Sequence, residues 1–144
     1  MLLYHFGSRA GLIGAIVTAV EADQRANLRE LAAQSENSTE LIRALWHRVS
    51  SDELRPFVRL FFESLTYTSQ SRTADDLTAP WLSDTEDVAT QLGVAYDPVD
   101  IRLGVATIRG LLIDVLATGD AGPATESLER FIGLLETSTP GQAS

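Results

Sequence analysis

One stretch, residues 98–118, constrains the fold of this chain more than any other. In it Ile101, Val105, Ile108, Leu112 and Val115 recur at spacings of 4, 3, 4 and 3. Leu103, Ala106, Gly110, Ile113 and Ala117 recur at 3, 4, 3 and 4. At 100° per residue the two rows lie roughly 160° apart on one helix. Arg102 and Arg109 separate them along one edge, Thr107 and Asp114 along the other. A helix that is apolar on two sides has to be covered on two sides. In a small domain one side can meet the core and the other a second subunit. Gly104 and Gly110 remove side-chain bulk and permit close approach. Asp97-Pro98 is a strong start signal, an N-cap followed by proline at the first helical position, and Gly119 ends the helix.

The rest of the chain also reads as helices, with no sustained period-2 alternation of Val, Ile and Thr. Ser8 can cap a long helix over Arg9 to Gln34, with Leu12, Ile13, Ile16, Val17, Val20, Leu28 and Leu31 on its apolar face. Ser38 or Thr39 can cap a second helix carrying Leu41, Ile42, Leu45, Trp46 and Val49. A third starts near Asp52, takes Pro56 in its first turn, and carries Phe57, Val58, Leu60, Phe61, Phe62, Leu65 and Tyr67. Residues 71–80 read as a loop ending at Pro80. Ser83-Asp84-Thr85-Glu86 then matches a capping box that opens a short helix with Val88, Ala89 and Leu92. A last helix follows Asp120-Ala121-Gly122-Pro123 and runs to about Glu136, leaving a polar tail. The final two helices form an antiparallel hairpin with surplus apolar surface. Two such hairpins about a two-fold axis make a four-helix bundle. Its expected contacts are Leu103, Gly110, Ile113, Ala117, Leu128, Phe131, Ile132 and Leu135.

Composition narrows function. Twenty acids against eleven bases give −9, and every base is arginine. So acidic a chain repels phosphate on average and should not bind nucleic acid as a whole. Residues 73–98 hold six acids and no base, expected to be a solvated acidic surface rather than a metal site. There is no cysteine, so disulfides and thiolate metal sites are excluded, and a cytoplasmic chain is favoured. Two histidines, His5 and His47, cannot make a His-rich metal site. No signal peptide opens the sequence, and Arg109 and Asp114 interrupt the longest apolar stretches short of a transmembrane span. No glycine-rich phosphate loop, Glu-x-x-His pair or cysteine nucleophile is present. Asp114 and Glu63 form no readable pair. The chain is not expected to be an enzyme or to carry a cofactor or metal.

The opening residues are unusual. Leu2, Leu3, Tyr4 and Phe6 look like the end of a helix, Gly7 stops it and Ser8 starts the next. A helix stub, a tight turn and a long helix are what a helix-turn-helix domain leaves when cut within its recognition helix. The run LLYHFGSRAGLI, residues 2–13, resembles the end of the DNA-binding segment in the TetR family of transcriptional regulators. There the recognition helix ends in a Leu-Tyr-Tyr-His-Phe-like run, followed by a Gly-Ser-Lys-like turn and a linking helix with leucine where Leu12 stands. Residues 110–120, GLLIDVLATGD, resemble the penultimate helix of many members, and LERFIGLLE, residues 128–136, their last. Leu3 and Ala10 depart from the pattern, standing where a tyrosine and an acid are common.

The resemblance implies a division of the chain. Residues 1–8 would be the remnant of the DNA-binding domain and 9–34 the linking helix. Residues 35–137 would be the ligand-binding and dimerisation domain, and 138–144 a flexible tail. Tyr4 and His5 match positions that touch the DNA backbone, and Arg9 a basic residue that contacts phosphate at a helix N-terminus. Base readout would belong to helices preceding this sequence, so operator DNA would be a partner only of an intact protein with its head. In the family, the middle helices enclose an apolar pocket for a small effector. Here that role would fall to Trp46, Phe57, Phe61, Phe62, Leu65, Trp81, Ile108 and Leu111. His47 or Arg59 would supply the polar anchor. The implied function is a homodimeric, ligand-responsive transcriptional regulator, a repressor in the first instance. The alternative is a stand-alone, headless helical module that binds a ligand or dimerises.

Overall fold

The computed structural model describes residues 9–68 and 75–138. Tyr4, His5, the Ser8 cap and the tail beyond Ser138 lie outside them. The fold is all-helical, with six helices and no strand among the described residues: α1 (Arg9–Gln34), α2 (Ser38–Val49), α3 (Arg55–Thr68), α4 (Asp75–Gln91), α5 (Pro98–Thr118) and α6 (Gly122–Ser138). No described helix is long and apolar enough to cross a membrane.

The 26-residue α1, about 39 Å long at 1.5 Å per residue, packs against α2, α3 and α4. Its buried seam is Val17, Gln24, Leu28 and Ala32. That seam is rotated from the purely apolar face, so Ile16 is 37% exposed. Gln24 can be buried because its Oε1 accepts a 2.9 Å hydrogen bond from Arg48 Nε on α2.

The caps explain several boundaries. The N-cap of α2 is Asn37, one residue before Ser38. Its Oδ1 accepts from Glu40 N at 2.9 Å, and Glu40 Oε2 accepts from Glu36 N at 2.9 Å. Thr39, freed from capping, donates to Glu136 on α6 at 3.1 Å. Asp97 caps α5 through Val99 N at 2.8 Å with Pro98 at the start, and Gly119 closes it at φ 73°, where a side chain would be strained.

α4 departs most from the sequence pattern. It starts at Asp75 instead of Ser83, and Pro80 lies inside it. Pro80 is the sixth residue of the helix, so it forgoes the bond that an ordinary residue would donate to the carbonyl of residue 76. Burial of Leu77 and the half-buried Trp81 holds this early turn in place. Ser83–Glu86 is therefore helix interior and caps nothing. Asp84, expected in a solvated acidic surface, is 6% exposed and pairs with Arg29 Nη2 at 2.8 Å and Arg25 Nη1 at 3.3 Å. It clamps α4 onto α1.

Three clusters make the core. Trp46, Leu112, Val115, Ala124, Leu128 and Ile132 join α2, α5 and α6. Leu28, Ala32, Leu41 and Val88 join α1, α2 and α4. Val17, Phe61 and Leu77 join α1, α3 and α4. Leu128 and Ile132, at 1% and 2% exposure, are thus interior to the single chain and unavailable to a partner. The two rows of α5 separate as their spacing requires. Leu112 and Val115 are buried, while Leu103 and Ile113 are 50% and 52% exposed.

Candidate functional site

The three clusters do not close completely on one another. Between them lies an apolar cavity of about 280 Å³, just under the roughly 300–1,000 Å³ usual for small-molecule sites. Every helix contributes to its wall. Glu21 and Leu28 come from α1, Leu41, Ile42 and Leu45 from α2, Phe61 from α3, and Trp81, Thr85 and Val88 from α4. Ile101, Gly104, Val105, Ile108 and Arg109 come from α5, Phe131 and Leu135 from α6. The exposed wall residues gather at Ala95, Tyr96 and Asp100, which places the mouth at the α4–α5 connection. Gly104 leaves room there, since a Cβ on it would meet nothing within 4 Å.

A small polar group interrupts the apolar wall. Trp81 Nε1 donates to Glu21 Oε2. Arg109 Nη1 donates to Thr78 Oγ1 at 2.8 Å and Nη2 to the Leu77 carbonyl at 2.7 Å. The same guanidinium lies over the Phe61 ring, 5.0 Å from its centroid. Arg109 therefore ties α5 to the first turn of α4 and faces Phe61 of α3. Burial pushes the Glu21 carboxyl above its ordinary range, against the opposing pull of the Trp81 N–H, Arg109 and Arg25. Burial likewise lowers the Arg109 guanidinium, and the Glu21 charge opposes it.

Of the residues assigned to the pocket from sequence, Phe61, Trp81 and Ile108 line this cavity. Trp46 does not. It is 1% exposed and donates to Thr125 Oγ1 at 2.8 Å, fixing α2 on α6. Leu111 and Phe62 pack against the Trp46 cluster, and Leu65 against the Phe61 cluster. Phe57 is 40% exposed beside a smaller hollow between α1, α3 and α4. His47 and Arg59 are exposed on the surface and anchor nothing in the cavity. Glu21 and Arg109 hold the polar positions instead. Glu21 had a visible signal, since it falls four residues after Val17 and seven before Leu28, on the buried seam. Arg109 had a weaker one, as one of two cations in a long apolar helix.

The residues expected at a subunit interface divide as well. Leu103, Gly110, Ile113 and Ala117 form an exposed stripe along α5, continued by Val99 and Ala106. Leu134 of α6, 59% exposed, extends the apolar surface. Phe131 and Leu135 face the cavity instead. Arg9 is exposed at the start of α1. Among the described residues, no group of three His, Cys, Asp or Glu side chains converges as metal ligands would. No protein-family model, characterised protein or solved structure matches the chain.

Proposed function

We propose that this chain is the effector-binding and dimerisation part of a TetR-type, ligand-responsive transcriptional regulator, acting as a cytoplasmic repressor. The observation that carries the reading is the apolar cavity, walled by all six helices and furnished with a polar corner. A purely structural bundle of this size gains stability by closing such a space. The exposed α5 stripe supports the second half of the reading. Val99, Leu103, Ala106, Gly110, Ile113 and Ala117 repeat at 4, 3, 4, 3 and 4, the seam spacing of helices that pair along their length. A second copy of the same stripe, antiparallel across a two-fold axis, covers it isologously.

The mechanism is a shift of population between two dimer geometries. Glu21 and Leu28 of α1 are cavity wall, so an occupant that moves them tilts the helix that leads toward the DNA-binding end. With half-sites about one helical turn, ~34 Å, apart, a change in head spacing weakens operator binding. Arg9, at the N-terminal end of α1, contacts phosphate in the operator-bound geometry. The test is to isolate the native gene product from its own cells and sequence the genomic fragments that it retains. Enrichment of a few inverted-repeat sites is expected. Retention of no sequence above background overturns the regulator reading and leaves a stand-alone helical module.

A further inference from the structure

We infer that the molecule occupying the cavity is a compact apolar one, of roughly ten non-hydrogen atoms, whose single polar head donates a hydrogen bond to Glu21. The inference rests on the cavity being a ligand site and adds the chemistry of its occupant. Size follows from volume. At ~30 Å³ for a water-sized group, 280 Å³ holds about nine such groups.

Head chemistry follows from which wall groups still have bonding capacity. Arg109 is the cation of the wall, and one N–H of each terminal nitrogen is held by Thr78 or the Leu77 carbonyl while its face lies on Phe61. Pulling it toward a ligand would strip Thr78 and the Leu77 carbonyl of their donor. Glu21 accepts one hydrogen bond, from Trp81, and a carboxylate has room for several. Glu21 is therefore the acceptor that the wall offers a donating head, while the wall's further donors, the Ser38 and Tyr96 hydroxyls and the other N–H groups of Arg109, leave the choice of head to charge. An anionic head would meet like charge twice, from Glu21 inside and Asp100 at the mouth, against one arginine. A hydroxyl and an ammonium share the required chemistry, and their relative affinities separate a neutral from a charged occupant.

Calorimetric titration of the whole chain at pH 7 with 1-octanol, octylamine and octanoate tests this, since the three match the cavity in size and differ in head. The expected result is binding of the alcohol and the amine about tenfold or more tighter than the carboxylate, one unmade hydrogen bond being worth about that factor. In Glu21→Gln, whose amide oxygen accepts while its nitrogen donates, the carboxylate's disadvantage should shrink severalfold. Octanoate binding as tightly as 1-octanol to the unaltered chain overturns the inference while leaving the cavity as a ligand site, and that comparison does not depend on how the variant folds. An unchanged ratio in a folded Glu21→Gln variant overturns it too. Binding of none of the three overturns both the inference and the cavity's role.

Discussion

Gly104 offers a direct test of the space inside the bundle. It is the seventh residue of the 21-residue α5, on the cavity wall, and a Cβ there would meet no atom within 4 Å. Alanine in a helix interior is favoured over glycine by about 0.8–1.0 kcal/mol. The added methyl contributes between nothing and about 0.8 kcal/mol, depending on how much of it leaves water. Gly104→Ala should therefore stabilise the chain by about 1–2 kcal/mol. Unfolding entropy near 2.1 cal/mol/K per residue gives about 0.3 kcal/mol/K for 144 residues, so Tm should rise by about 3–6 °C. Gly110→Ala, in the same helix but on the exposed stripe, supplies the control. With propensity alone it should gain about 3 °C in the monomer. Gly104→Leu should go further and take about 120 of the 280 Å³, weakening 1-octanol binding while leaving the helix content unchanged. Differential scanning calorimetry measures the first two and titration the third. A fall in Tm for Gly104→Ala would mean that this face of α5 is packed, and the cavity reasoning would fail with it.

Three further outcomes follow from the structure. Asp84→Asn should cost about 1–3 kcal/mol, more than the ~0–1 kcal/mol of an exposed pair, because the Asp84 side chain is 8% exposed and the side chains of its two arginines are 28% and 59% exposed. Chemical denaturation reads it, and an unchanged midpoint would show that α4 is not clamped through this residue. The Glu21 carboxyl, raised by burial, binds its proton more tightly folded than unfolded. Its contribution should thus favour folding near pH 4.5 and be lost as pH rises through the folded pKa. Glu21→Gln should flatten that part of the stability–pH curve, and an identical slope in the variant would count against the buried carboxylate. Phe61→Ala should remove the ring under Arg109 and part of the cavity wall; under the proposed function it should reduce effector response while operator affinity of the intact regulator stays nearly the same. An equal response would sink the assignment of Phe61.

The limits of sequence reading follow from where side chains meet. α5 was legible almost to the residue because Asp97-Pro98 and Gly119 act locally and because two rows at 4 and 3 spacing belong to one helix. α4 was not, because Leu77, Trp81 and Arg109 hold its first turn, and two of those contacts come from more than 30 residues away. The capping-box pattern at Ser83 was locally sound, yet tertiary packing overrode it, sending Asp84 inward to Arg25 and Arg29. The aromatic residues showed that an apolar interior exists. They could not show which of them face a space. Trp46 and Trp81 look alike in sequence, but Trp46 finds Thr125 on α6 and Trp81 finds Glu21 on α1. Only the second partner borders the cavity. The hairpin residues divided for the same reason. Leu128 and Ile132 have helical spacing suited to either side, and α2 covers them within the chain through Trp46.

Sedimentation equilibrium of the chain at micromolar concentration is the most direct test of paired effector domains. Pairing through α5 predicts a mass of twice 15.6 kDa, returning to 15.6 kDa when Leu103→Asp and Ile113→Asp place two charges on the stripe. Circular dichroism should show the doubly substituted chain still helical, since both residues are half-exposed. A unit mass of 15.6 kDa for the unaltered chain, or an undisturbed dimer after both substitutions, would contradict pairing through this face.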